Sequence, residues 1–302
     1  MSILLFVAIP IALLAVVLLL CFAGCSFSPG ALSGGFTEYS NNILAEPTLV
    51  AYWPLGEPDG EVTANDLKGT GGVHRSGTYL SQVFPADPAM NSAAAPGTLQ
   101  LGQPGLLEGD RVSPFGLNDP RTTCIAVNGG YVSVPYDPAL NPSKADGFTI
   151  EAWVHTGWSA DPTVSPPGHR TIMTALDQIG GLRGYWLFAS KDNMWEVFLG
   201  NGPGPTIVTG PAVQLDTTTH VVLSYDGNLL RLFIDGSQVA AMATDYVPTD
   251  QSRLFIGAGA PHIPQPRFPW VGNIQCVALY KGALDANQVA KHTVWGNGGF
   301  TS

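Results

Sequence analysis

Residues 221–236 read Val221-Val222-Leu223-Ser224-Tyr225-Asp226-Gly227-Asn228-Leu229-Leu230-Arg231-Leu232-Phe233-Ile234-Asp235-Gly236. Two apolar runs of strand length are each closed by an Asp-Gly pair, and Gly accepts the positive φ of a tight hairpin turn at little cost. Two such turns in succession predict an antiparallel meander. Working outward, Phe148-Thr149-Ile150-Glu151-Ala152-Trp153-Val154-His155 alternates, with Phe148, Ile150, Ala152 and Val154 on one face. Strand-like runs also occur at residues 49–55, 185–189 and 194–199. Helix signals are few. The best is Leu284-Asp285-Ala286-Asn287-Gln288-Val289, where Asp285 as N-cap and Gln288 three residues on form a capping box. The pattern predicts an all-β, two-sheet antiparallel sandwich with one short C-terminal helix.

Composition agrees. Charged residues are 12% of the 302, while 36 Gly and 25 Pro supply turns. That excludes a coiled coil and a charge-rich disordered chain. A net charge of -10 would repel a phosphate backbone, so nucleic acid is excluded as an electrostatic partner. No period of 20 to 50 residues recurs, which argues against a propeller or solenoid.

The N-terminus differs from the rest. Residues 3–25 carry no charge, enough for a helix of transmembrane length. Three readings compete for residues 1–25: an uncleaved single-pass anchor, a lipoprotein-type signal with Cys25 lipidated after Phe22-Ala23-Gly24, and a plain secretory signal. The first basic residue is Lys68, so a basic start is missing and positive-inside counting gives no topology. Each reading delivers the protein to a membrane, with the globular part extracytoplasmic. Residues 26–46, small and Gly-rich, read as a flexible linker, and residues 47–302 as the domain. Residues 75–118 hold five prolines and little alternation, and read as a long surface insertion.

Cys124 and Cys276 remain for that domain. Each lies in a strand-like run, either as a small buried hydrophobe or as half of a Cys124–Cys276 disulfide, which an extracytoplasmic domain permits.

The order of motifs resembles a known family. Val50-Ala51-Tyr52-Trp53-Pro54-Leu55-Gly56-Glu57, then Ala64-Asn65-Asp66, then Gly129-Gly130-Tyr131-Val132-Ser133-Val134-Pro135 resemble the opening of LamG-like, concanavalin A-like lectin domains of laminin G and pentraxin type. Residues 148–154, 220–226, 230–236, 254–257 and 272–284 follow in the family's order. The resemblance implies a jelly roll. It implies less about activity, since one sandwich hosts lectins, adhesion modules and glycanase accessories. Thr219 stands where relatives carry Trp, and Gln275-Cys276 replaces an acidic pair.

Many relatives bind calcium. A hard cation needs several oxygen ligands, and Glu57, Asn65 and Asp66 are the candidates here; the competing reading of Asp66 is an ordinary turn former. The Glu-x-Asp-x-x-Glu strand of the sandwich glycanases is missing, and Glu151 and Glu196 read as isolated outward-facing polar residues. The six histidines show no metal-ligand spacing. Trp158, Trp186, Trp195 and Trp270 are candidate sugar platforms. Of these, Trp158 and Trp270 flank Pro-rich loops and are the two chosen as ligand-binding residues. The expectation is a non-enzymatic, membrane-tethered, lectin-like domain that binds a glycan or a protein at its loop edge. The alternatives are a structural accessory subunit of a membrane complex and, third, a glycan-active enzyme.

Overall fold

The meander at 221–236 forms as three consecutive antiparallel strands. The structure, a computed structural model, describes residues 39–69, 72–108, 122–159, 161 and 168–299. With strands numbered in chain order, the first sheet runs β14 (Ser237–Ala243), β13 (Leu229–Ile234), β12 (Thr218–Tyr225), β7 (Phe148–Thr156), β16 (Val271–Lys281), β5 (Thr123–Asn128), β4 (Thr98–Pro104). β1 (Leu49–Trp53) also pairs with β16. The second sheet runs β11 (Pro205–Ala212), β10 (Met194–Gly200), β9 (Arg183–Ala189), β8 (Arg170–Asp177), β15 (Leu254–Ile256), β6 (Gly130–Val134), β3 (Gly77–Ser81), β2 (Thr63–Ala64).

The sheets share one core. Ile150, Ala152 and Val154 of β7 lie in the same buried cluster as Tyr185, Leu187 and Ala189 of β9, so the alternation read from 148–155 does point one face inward. Each Val, Leu or Ile side chain among them contributes about 1.5–3 kcal/mol when fully buried. Gly184 makes one close strand approach possible: its φ is +90°, and a Cβ there would lie 1.9 Å from the Ala175 carbonyl oxygen.

The outer face of the first sheet is covered by two helices. α1 (Tyr39–Ala45) and α2 (Ala286–Gly296) bury Tyr39, Ile43, Val289 and Trp295 against Trp153, Val222 and Phe233. The expected capping box of α2 forms: the Asp285 carboxylate accepts from Gln288 N–H, and the Gln288 side chain accepts from Asp285 N–H. Gly296 lets α2 lie on the Trp153 indole, since a Cβ would approach that ring to 2.1 Å.

Several expectations change. The second half of the 26–46 linker is α1, because Tyr39 and Ile43 find apolar partners on the sheet. The 75–118 segment is not a surface insertion throughout. It supplies β3 to one sheet and β4 to the other, and β4 escaped notice as a largely exposed edge strand ending in Pro104. Cys124 and Cys276 are free thiols, so the expected bridge is absent. Cys124 Sγ donates to the Pro104 carbonyl, whereas Cys276 Sγ accepts from Tyr52 Oη. Cys276 sits at φ 55°, at a bulge where β16 shifts register against β7 and exchanges its other neighbour β5 for β1. The anchor or signal at residues 1–25, with Cys25, lies outside the described residues. Among the described residues no helix is long and apolar enough to cross a membrane.

Candidate functional site

On β9, Tyr185, Leu187 and Ala189 point into the core, so Trp186 and Phe188 point outward. The two rings stack at 3.9 Å with 16° between planes, an arrangement worth about 0.5–1.5 kcal/mol beyond its area. Trp186 Nε1 donates to Thr171 Oγ1 at 2.8 Å, which fixes the indole. Phe198 from β10 and Phe268 from the loop after β15 approach the same ring at 6.2 and 5.0 Å. Together with Leu176, Leu182 and His262 they line a cavity of about 260 Å³ on the outer face of the second sheet. Trp186 is half-buried there, with part of its surface open.

Polar groups border this apolar floor. Nδ1 of His262 is buried and has no hydrogen-bond partner among the described residues. Burial holds the His262 imidazole below its ordinary range. His169 packs edge-on against Trp186, Phe188 and Phe268 and is lowered by burial likewise. The loop that closes one side is strained: Ala260 and Phe268 occupy left-handed φ of 57° and 55°. Reciprocal backbone bonds between Gly259 and Arg267 hold it in that shape. Such conformations persist where surrounding structure over-determines them, and they cluster at ligand clamps. Glu196 lies across from Phe188 on the same face, with its carboxyl pushed up by burial.

The residues singled out in the sequence fall elsewhere. Trp158 and Trp270 do meet, edge to face at 5.0 Å, but both are buried in the shared core and present no stacking surface. Trp270 also stacks on Trp195 at 6.3 Å, and Trp158 Nε1 donates to Asn193 Oδ1. The run Tyr185-Trp186-Leu187-Phe188-Ala189 is apolar on both faces, so alternation alone does not mark Trp186 as outward.

The candidate calcium ligands are committed to protein. Glu57 and Asn65 are together, with Glu57 Oε1 accepting from the Asn65 backbone and side-chain amides and Oε2 from Tyr79 Oη. Asp66 accepts the backbone N–H groups of Tyr52, Lys68 and Arg75, a turn-building role. Among the described residues no group of three or more His, Cys, Asp or Glu converges on a metal position. At the expected loop edge an open cleft of about 540 Å³ is lined by Asn201, Thr206, Asn228, Thr244 and Asp245. It offers polar groups but no aromatic ring.

Glu151 is not an exposed polar residue. It does face away from the core, yet α1 and α2 enclose it completely. Its Oε1 accepts from Tyr39 and Tyr280 at 2.9 and 2.5 Å, its Oε2 accepts from His292 Nδ1 at 2.8 Å, and His220 Nε2 lies 3.5 Å from Oε2. With every group inaccessible, the cluster ties the helices to the sheet rather than meeting a ligand.

Fold and site together define a lectin-type jelly-roll sandwich with an aromatic cavity on one sheet face. The chain belongs to the concanavalin A-like lectin/glucanases superfamily, whose laminin G family model matches residues 127–290. No curated protein matches the chain by sequence. Among solved structures it is similar to domain 4 of AbnA, a GH43 extracellular arabinanase from Geobacillus stearothermophilus, in complex with arabinotriose: TM-score 0.50, 15% identity, covering 82% of this chain and 98% of that one. It is also similar to the Trypanosoma rangeli sialidase in complex with 2,3-difluorosialic acid, with TM-score 0.51 and 14% identity. There the match covers 84% of this chain but 33% of the sialidase chain. Identities this low establish a shared fold.

Proposed function

We propose that this protein is a non-enzymatic carbohydrate-binding domain that seats a sugar ring against Trp186 on the outer face of the second sheet. One observation carries the reading: a half-buried, hydrogen-bond-anchored indole forms the floor of a cavity that the polar side chains of Gln178 and His262 help to line. A sugar has apolar C–H faces and a hydroxyl periphery, which suits that combination of stacking surface and hydrogen-bonding rim. At about 260 Å³ the cavity falls just below the roughly 300–1,000 Å³ of drug-sized pockets, in keeping with a small ring. The arabinotriose complex of the similar domain 4 supports a glycan over a protein ligand.

The apolar N-terminal run extends the proposal to a domain held at a membrane and facing outward. Binding of the full-length protein to a glycan array, with and without calcium, tests the glycan reading. Signal lost in Trp186→Ala but kept in a variant of the open loop-edge cleft, Asn201→Ala, is the expected result; a blank array under both conditions overturns it. Intact mass separates an uncleaved anchor from a lipidated Cys25.

A further inference from the structure

Among the described residues the arginines are nearly all engaged. Arg75, Arg183, Arg231 and Arg267 each lie within 3.4 Å of an aspartate. Arg170 is buried over the Trp158 ring. Arg253 differs. It is exposed, has no carboxylate in ion-pair range among the described residues, and makes a long 3.4 Å bond from Nη1 to Ser133 Oγ. It lies two residues before Phe255, whose ring packs on the outer face of the second sheet, so strand alternation puts Arg253 on that same face.

Arg253 lines a second cavity of about 230 Å³ with Asp177, Gln251, Ser252, Pro261 and His262. His262 also lines the aromatic cavity, so the two adjoin. Arg253 therefore borders a cavity that shares His262 with the aromatic one. Asp177 forms no ion pair with Arg253: one carboxylate oxygen accepts from Ile179 N–H and the other from the Thr249 hydroxyl. Ser252, next to Arg253 in the chain, is held by its hydroxyl donating to the Leu176 carbonyl and its N–H to Thr249 Oγ1. With a net charge of -10 the protein has no general basic surface to which Arg253 would belong.

From this juxtaposition we infer that the site selects a sugar bearing a carboxylate, such as a hexuronic or sialic acid unit, with the acid on Arg253 and the ring toward Trp186. A guanidinium matches a carboxylate with two parallel N–H donors, and charge-assisted bonds of this kind are the stronger ones. Gln251 and His262 supply hydrogen bonds to neighbouring hydroxyls. This rests on the glycan-binding reading above and adds the chemical class of the ligand.

The test is isothermal titration of the full-length protein with matched oligosaccharides: glucuronyl- against glucosyl-terminated, and sialyllactose against lactose. Wild type, Arg253→Gln, Arg253→Lys and Trp186→Ala are compared, with circular dichroism confirming each fold. The acidic member of at least one pair should bind about tenfold tighter or more, the scale of a charged hydrogen bond. Arg253→Gln should erase that preference, Arg253→Lys should restore part of it, and Trp186→Ala should weaken both members. Equal binding of both members, or a preference that survives Arg253→Gln, overturns the inference and leaves the glycan reading intact. Failure of wild type to bind any sugar overturns both.

Discussion

Nδ1 of His292, on the C-terminal helix, donates to Oε2 of Glu151, in the middle of the first sheet, at 2.8 Å and with both side chains shut off from solvent. Burial by itself would raise the Glu151 carboxyl, but the charge of His292 and the imidazoles of His220 and His292 hold it well below the usual carboxylate range. For His292, burial acts downward, and Glu151 followed by Glu46 outweighs it and raises the imidazole. A depressed carboxyl stabilises above its unfolded pKa and loses that contribution as pH falls; a raised histidine stabilises below its unfolded pKa and loses it as pH rises. With unfolded values of about 4.3 and 6.5, the pair contributes fully between roughly pH 4.5 and 6.5. Denaturant unfolding from pH 3 to 9 should show a maximum in that window. Glu151→Gln should flatten it and cost about 3–5 kcal/mol, the scale for breaking a buried pair. A wild-type profile that rises steadily to pH 9 would count against the pairing.

Tryptophans on the two sides of the second sheet should separate stability from binding. Trp270→Ala opens a cavity in the shared core and is expected to cost about 3–5 kcal/mol. Trp186→Ala should unfold much less readily, yet lose about 2 kcal/mol of glycan affinity, roughly 30-fold. Thermal melts beside glycan titrations check both; comparable destabilisation by the two substitutions would refute the assignment of Trp186 to a surface site.

The thiols should behave as buried hydrophobes. Burial pushes Cys124 up to about 11, far from the thiolate that reacts at neutral pH. Reductant should leave the melting temperature unchanged, and a thiol reagent should label Cys124 and Cys276 only at the rate of unfolding. A melt that drops on reduction would restore the Cys124–Cys276 bridge.

Asp66 should matter to the fold with or without calcium. Asp66→Ala strands the N–H groups of Tyr52, Lys68 and Arg75, at an expected cost of about 3 kcal/mol. Calorimetry with calcium and with EDTA should give the same loss in both. Should EDTA alone reproduce the loss in wild type, the carboxylates of this turn are cation ligands.

Much of this architecture was local enough to read in the chain. The Asp-Gly turns at 226–227 and 235–236 and the alternation at 148–155 depend on backbone preference and side-chain period, and the Asp285–Gln288 capping box depends on residues three apart. Those interactions close within a few residues, so the sequence by itself determined them, and with them the two-sheet sandwich and its terminal helix. Only the tertiary structure decided which face of the all-apolar strand 185–189 lies outside, and hence that Trp186, unlike the buried Trp158 and Trp270, keeps part of its ring surface open. It also decided that α1 and α2 close over Glu151, and that the strand exchange at Cys276 keeps two cysteines in separate surroundings. The physical reason is common to these cases: burial and pairing depend on what packs against a face, and for Glu151 and Cys276 the packing partners lie more than a hundred residues away.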